Sequence, residues 1–417
     1  MKLKKLTLLK NKQEYFRACL FLALILFLST LYEYTRYKNF KKSVLYEDAF
    51  SIVSFYKKES FYISKLSNND FTFYSKIPQD YNLNDIQNIQ LLLLTKNISF
   101  YSYLKGFYTN SIVLYPNNAS KNTKNPLSSL IKGQHKNTAM QELYQALFLG
   151  ESMGKELRKG INTYGVSHLF AISGFHLGVI VLVFYFILHL LYKNIHQQFF
   201  PYRNKRMDIL LCIFCFLFFY LYLIGFLASF LRAFIMFCIA LALLRSHIKL
   251  FSFTSLLLTF ILILCFFPKY IFSLSLYFSL AGVFYIFLYF VHLKNLNKKL
   301  SFFFFNIWIF AALNPIIHYF FLLTSLYQLF SPLLSLLFIL FYPFVLFLHL
   351  LKQGSFFDCY LLEVLSYDVV VYNYDTNIYF LCLYIVISFL SIKSRKAFIV
   401  LNVLLLVFNL KVFVLGV

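Results

Sequence analysis

The chain has 417 residues, 60% hydrophobic, 21% aromatic and only 13% charged, with a formal net charge of +23. Apolar stretches near the ~20 residues needed to cross a bilayer recur along it, which excludes a single water-soluble domain and indicates a polytopic membrane protein. The positive charge suits a polyanionic partner, but cytoplasmic loops of any membrane protein are basic, and 31 Lys against 8 Arg among abundant Phe, Tyr, Asn and Leu fits an AT-rich coding sequence.

Lys2, Lys4, Lys5, Lys10 and Lys12 precede a first apolar span, Phe16 to Tyr32. That order places the N-terminus in the cytoplasm, and no small-residue cleavage site follows, so residues 1–32 read as a retained anchor. Residues 33–140 are polar and would be extracytoplasmic. Phe61 to Ile63, Phe71 to Tyr74, Ser99 to Tyr103 and Ser111 to Tyr115 alternate like half-buried strands. Turn clusters at Ser67-Asn68-Asn69-Asp70 and Pro116-Asn117-Asn118 separate them, so a small β-barrel is expected. Its aromatic residues Phe71, Phe73, Tyr74, Tyr101, Tyr103 and Tyr108 are either core or platforms on which bases stack. No cysteine falls between Glu33 and Gly165, so disulfides do not hold this region. Asn137-Thr138 predicts a capped helix over Ala139 to Leu149.

Residues 141–417 form the membrane part. The run Gly165-Val166-Ser167-His168-Leu169-Phe170-Ala171-Ile172-Ser173-Gly174-Phe175-His176-Leu177-Gly178 leads straight into an apolar segment, Val179 to Tyr192. Polar groups at membrane depth are tolerated where they face a cavity or a partner, and glycines let a helix break there. Further spans are expected at Ile209 to Ile224, Phe230 to Leu244, Leu250 to Phe267, Ile271 to Val291, Tyr379 to Ile392 and Phe398 to Val414. Basic clusters (Lys193 to Arg206, Arg245 and Lys249, Lys294 to Lys299, Lys393 to Lys396) fall on the cytoplasmic side of this scheme. Residues 302–351 are almost continuously apolar, broken by Pro315, Pro332 and Pro343. Parity with the acidic loop Gly354 to Asn377 requires one span plus a re-entrant hairpin, or three short spans. The count is about ten.

Arg232 is the one arginine well inside an apolar run, which makes it a functional candidate unless it snorkels to the nearby surface. His168 and His176 lie eight residues apart, about 80° around a helix, and Ser173 and His176 face the same way. Ser-Gly-x-His invites a serine-hydrolase reading, but no third group in the span orients the base. Cys212 and Cys215 read as core packing, and His189, His292, His318 and His349 as incidental. No ligand spacing for a metal and no phosphate loop is present.

The run from His168 to His176 resembles the signature of the ComEC-type competence proteins. Leu149-Gly150-Glu151 and Gly225 to Met236 resemble two further elements of that family. Phe267-Pro268 with Ser275 to Gly282 resembles a fourth, departing at Tyr277 and Phe278 and lacking its polar residues. The resemblance implies an inner-membrane channel that passes single-stranded DNA to the cytoplasm, with an OB-like outer domain over residues 33–140. It implies a DNA path lined by His168, Ser173, Gly174, His176, Gly178, Ser229 and Arg232, supported by Gly150, Glu151 and Gly165. Bases would stack on Phe71, Phe73, Tyr101 and Tyr103. Expected partners are a periplasmic DNA-binding competence protein and cytoplasmic single-strand-handling recombination proteins, with self-association left open. No cofactor, metal or catalytic residue is expected. The metallo-β-lactamase-like domain that ends many members is not expected, since its His-x-His-x-Asp-His motif occurs nowhere. Two other classes stay open: a secondary transporter for a small anion centred on Arg232, and a membrane-embedded hydrolase using Ser173 and His176.

Overall fold

A computed structural model describes residues 12–57, 61–68, 70–79, 88–117, 126–243, 252–293, 297–367 and 369–414. The basic residues Lys2 to Lys10, Arg245, Lys249 and Lys294, and the turn residues Asn69 and Asn118, lie outside the described residues.

Helix α1 (Lys12–Phe40) carries the first apolar stretch and continues beyond it into the barrel. Six strands follow: β1 (Leu45–Lys57), β2 (Phe61–Ser67), β3 (Thr72–Pro78), β4 (Asn88–Leu94), β5 (Phe107–Tyr108) and β6 (Ser111–Asn117). The sheet order is β5-β3-β2-β1-β4-β6. Its two edges, β5 and β6, are successive pieces of one stretch, so the sheet curls into a half-barrel. β3 shows why the pattern works: its residues alternate exposed and buried, with Phe73 and Ile77 fully inside. The last turns of α1 supply Tyr37 and Phe40 to the same core, and the Tyr37 hydroxyl donates to the Ile98 carbonyl at 2.9 Å.

Two expectations need correction here. Ser99 to Tyr103 is not a strand. Ser99 caps helix α2 (Phe100–Lys105), its hydroxyl accepting from the Ser102 amide at 3.2 Å. Phe71, Phe73 and Tyr103 do not present faces to a nucleic acid, because all three are buried in the barrel core. Tyr101, Tyr74 and Tyr108 are exposed, and Tyr101 meets Phe272 edge-on at 5.1 Å.

Burial, and then the Asp48 carboxylate that accepts from it at 3.1 Å, push the Tyr46 hydroxyl up to about 12. The folded barrel holds this phenol neutral. Its contribution is therefore present below the unfolded value near ~10 and is lost as pH rises through the folded one. Alkaline titration of the detergent-solubilised protein should show the β-signal weakening over that window, and Tyr46→Phe should lessen the loss.

Short helices α3 (Pro126–Lys132), α4 (Thr138–Leu149), α5 (Lys155–Thr163) and α6 (Ser167–Phe170) lead into the bundle. Asn137 caps α4 as its sequence predicts, accepting from the Ala139 amide at 2.8 Å. The bundle comprises α7 (Gly174–Phe199), α8 (Lys205–Leu223), α9 (Ala228–Leu243), α10 (Phe253–Phe266), α11 (Leu274–His292), α12 (Lys298–Phe320) and α13 (Ser331–Leu350). After α14 (Asp358–Ser366), α15 (Ile378–Leu390) and α16 (Arg395–Phe413) complete it. Among the described residues, six helical stretches are long and apolar enough to cross a membrane, and α9, α10 and α15 are shorter apolar helices. Cys212 and Cys215 are exposed on the outside of α8 rather than packed in the core.

The stretch 302–351 forms two helices, α12 and α13. Between them, two-residue strand β7 (Leu323–Thr324) pairs with β8 (Tyr372–Asn373), so the chain leaves and returns at one level. The far end of α13 meets His135, and the sequence from the barrel to His135 is too polar to have crossed. Length and composition alone would let Leu326–Leu350 cross. Its two ends are tied to distant segments, by the β7–β8 pair at one and by the His135–His349 contact at the other.

Polar side chains join helices where lipid offers no partner. Trp308 Nε1 donates to Asn402 Oδ1 at 2.8 Å, and Asn314 donates to Asn409 at 2.6 Å, tying α12 to α16. On the barrel's side, Lys269 pairs with Glu33 at 3.0 Å and also bonds the Asp70 carbonyl, while Arg36 pairs with Asp70. These contacts fix the barrel to the bundle.

Candidate functional site

The signature is a broken helix. α6 stops at Phe170, residues 171–173 are extended, and α7 starts at Gly174. Ser173 is the cap. Its hydroxyl accepts from the Phe175 amide at 3.3 Å, and the Ser173 amide donates to His176 Nδ1 at 3.1 Å. His176 thus takes the place usually held by Glu or Gln in a capping box. Ser173 and His176 are therefore not a pair along one continuous helix, and His168 and His176 lie on different helices.

That bond fixes the His176 tautomer. Nδ1 is the acceptor, so Nε2 carries the hydrogen. His176 is fully buried, with its ring edge-to-face against Tyr342 at 4.6 Å. Among the described residues no carboxylate orients this imidazole. His168 sits apart, on the α13 side. It is exposed, with Nδ1 3.1 Å from the Gly165 carbonyl and Nε2 3.2 Å from Ser335 Oγ.

The second sequence element folds onto the break. Ser229 Oγ donates to the Ile172 carbonyl at 2.6 Å, satisfying a backbone group of the extended break. One turn on, Arg232 is 5% exposed. Its Nε donates to Ser279 Oγ at 2.6 Å, and Nη1 reaches Met236 Sδ at 3.2 Å. Among the described residues no carboxylate pairs with it, so it is not neutralised by an ion pair. Gly174 explains how it fits: a Cβ there would lie 2.7 Å from Arg232 Nη2 and 3.2 Å from Ala233 Cβ. The guanidinium therefore rests against the first residue of α7, whose N-terminus carries a partial positive charge.

The supporting residues fall around this junction. Gly150 caps α4 at φ 70°, where a Cβ would collide with Leu227 and approach Ile172. Glu151 is exposed beside it. Gly178 lies on α7 with nothing within 4 Å of where a Cβ would stand. Gly165, at φ 66°, is pressed against Gln328, and its carbonyl accepts from Ser331 at 3.0 Å. Here the left-handed backbone strains any side chain, and a Cβ would press on Cγ and Cβ of Gln328 at 3.2 and 3.3 Å. Gly165→Ala should lower stability by about 1–3 kcal/mol, read as a lower thermal midpoint in detergent.

Sequence reasoning missed Ser279 and Ser335, and it dismissed His349. Ser279 lies in the element whose departures argued against a polar role, yet it supplies the bond to Arg232. The available signal was Ser-Leu-x-x-Ser spacing at helical period, which is too common to single out. His349 belongs to a buried cluster with His135 and Asp358, 223 residues apart in sequence. Among the described residues, no group of three or more His, Cys, Asp or Glu has an arrangement that would hold a metal ion.

No curated protein and no solved structure matches the chain. A family model described as Competence protein matches residues 147–367, just over half of the 417. That match takes in the signature break, the Arg232 element, Ser279 and α13. The chain belongs to the competence protein family, the one its ComEC-type signature resembles.

Proposed function

We propose that this chain is the inner-membrane channel through which one strand of transforming DNA enters the cytoplasm during competence. The observation that carries this reading is Arg232, buried without a carboxylate partner among the described residues and set against the N-terminus of the broken signature helix. Both groups favour a passing anion, and phosphates meet Arg through charge-assisted hydrogen bonds. Conduction needs binding that is weak and repeated, and a single cation among neutral Ser and His groups suits that better than a dense basic cluster. Sequence-tolerant contacts also suit DNA of any sequence.

In this reading the barrel receives DNA from a periplasmic DNA-binding partner, and single-strand-handling recombination proteins take it up inside. No catalytic residue is assigned. Ser173 and His176 do meet, with Oγ 3.2 Å from Nδ1, but that nitrogen already accepts from the Ser173 amide and no acid supports the ring. A deletion strain fed fluorescent double-stranded DNA tests the proposal. DNase-resistant foci without transformants support an inner-membrane step. Normal transformation contradicts it and would turn attention to a small-anion transporter built on Arg232.

A further inference from the structure

The strongest unassigned cluster lies away from the signature, at the end of α13. His135 Nδ1 is 3.0 and 2.9 Å from the two carboxylate oxygens of Asp358. His135 Nε2 is 3.0 Å from His349 Nε2, and His349 Nδ1 is 2.8 Å from the Val345 carbonyl. A carbonyl only accepts, so His349 Nδ1 carries a hydrogen. The carboxylate accepts in the same way from His135 Nδ1. If both rings were neutral, two lone pairs would face each other across 3.0 Å. The contact forms only when one further proton sits between the two Nε2 atoms.

We infer that His135, His349 and Asp358 form a proton-holding site, an imidazole–imidazolium pair balanced by a buried carboxylate. The titratable groups packed on it are Asp358 from α14 and Tyr144 from α4, the latter stacked on His135 at 4.4 Å. The site joins the connector after the barrel to the α13–α14 junction. Gln134 reinforces that joint, donating to the His349 carbonyl at 3.2 Å and accepting from the Gly354 amide at 2.9 Å. A Cβ on Gly354 would lie 2.8 Å from His349 Nε2, so glycine is needed for the closure.

What the joint holds is α13, and α13 lies against the signature. Phe338 and Tyr342 pack on His176, and Ser335 meets His168. The proton therefore latches the helix that backs the signature. Losing it as pH rises leaves facing lone pairs and opens the latch. Adding a second at low pH sets two cations against one carboxylate and opens it too. This inference rests on the contacts and is independent of the channel reading.

Hydrogen exchange on the full-length protein in lipid nanodiscs tests it, read at Gly354 and residues 133–137 from about pH 5 to about pH 9. Protection, corrected for intrinsic exchange, should fall about tenfold or more as the shared proton is lost on the alkaline side. Amides of Leu91 and Leu93 in the barrel serve as the reference. His349→Gln places an amide donor against His135 Nε2 without needing a proton, and should flatten the profile. Asp358→Asn keeps an acceptor for Nδ1 but removes the balancing charge, and should move the loss to lower pH. Wild-type protection constant within about twofold across the range overturns the inference, whether or not the variants fold. So does a His349→Gln profile as steep as wild type.

Discussion

Arg232→Ala should reduce transformation by about 10- to 100-fold while the protein accumulates in the membrane at least as well as wild type. The first part follows from losing charge-assisted contacts worth about 1.5–3 kcal/mol to each passing phosphate. The second follows from the cost of the residue itself. A buried cation that no carboxylate neutralises costs desolvation energy, and here no carboxylate offsets it among the described residues. Removing such a group should relieve the fold, so activity and stability move in opposite directions. A structural arginine predicts the reverse pairing, with lower accumulation and activity lost only in proportion. Arg232→Lys keeps the charge but not the fork that spans Ser279 and Met236, and should fall between. Membrane abundance by immunoblot alongside transformant counts separates the cases.

Phe73→Ala should destabilise the barrel by about 3–5 kcal/mol, whereas Tyr101→Ala should cost no more than about 1.5 kcal/mol. Phe73 is fully buried, stacked on Phe107 at 5.6 Å and edge-on to Phe50 at 4.8 Å. Its loss leaves a cavity that the curled sheet, packed on the end of α1, cannot easily collapse. Tyr101 is 59% exposed and loses little beyond its edge contact with Phe272. Denaturant unfolding of the two variants measures the difference. If Phe73→Ala unfolded like wild type but bound single-stranded DNA less well, its place in the core would be wrong and the stacking role would return.

The sequence was most informative where local chemistry decides the outcome. Apolar length located the helices, Asn137 located the start of α4, and β3 alternated as expected. The cluster of Ser, His and Gly marked the signature break, although its form was hidden because His176 fills a capping position normally read from Glu or Gln. Ser99 to Tyr103 misled for a related reason. Its alternation mimics a strand, but Ser99 captures the Ser102 amide and starts a helix. β1 was missed because a bulge breaks its register against β2 between Ile52 and Ser54, and β4 because its run Leu91 to Leu94 is apolar on both faces and hides the alternation. The course of α13 could not be read at all. Every residue in it suits a spanning helix, and its partners are distant in sequence: the β7–β8 pair at one end and the His135–His349 contact at the other. The partner of Arg232 was hidden in the same way, since Ser279 is 47 residues away and unremarkable in its own segment.

The central claim is that the DNA strand passes the junction of the broken signature helix with Arg232. It is tested most directly by placing a photo-crosslinking amino acid at position 178 or 279 in competent cells taking up labelled DNA. Position 178 is open around its missing Cβ, and position 279 neighbours Arg232. Leu211, exposed on the outside of α8, is the control. Illumination during uptake should yield adducts to single-stranded DNA at 178 and 279 and none at 211. Cells that transform normally yet give no adduct at 178 or 279 would contradict the account.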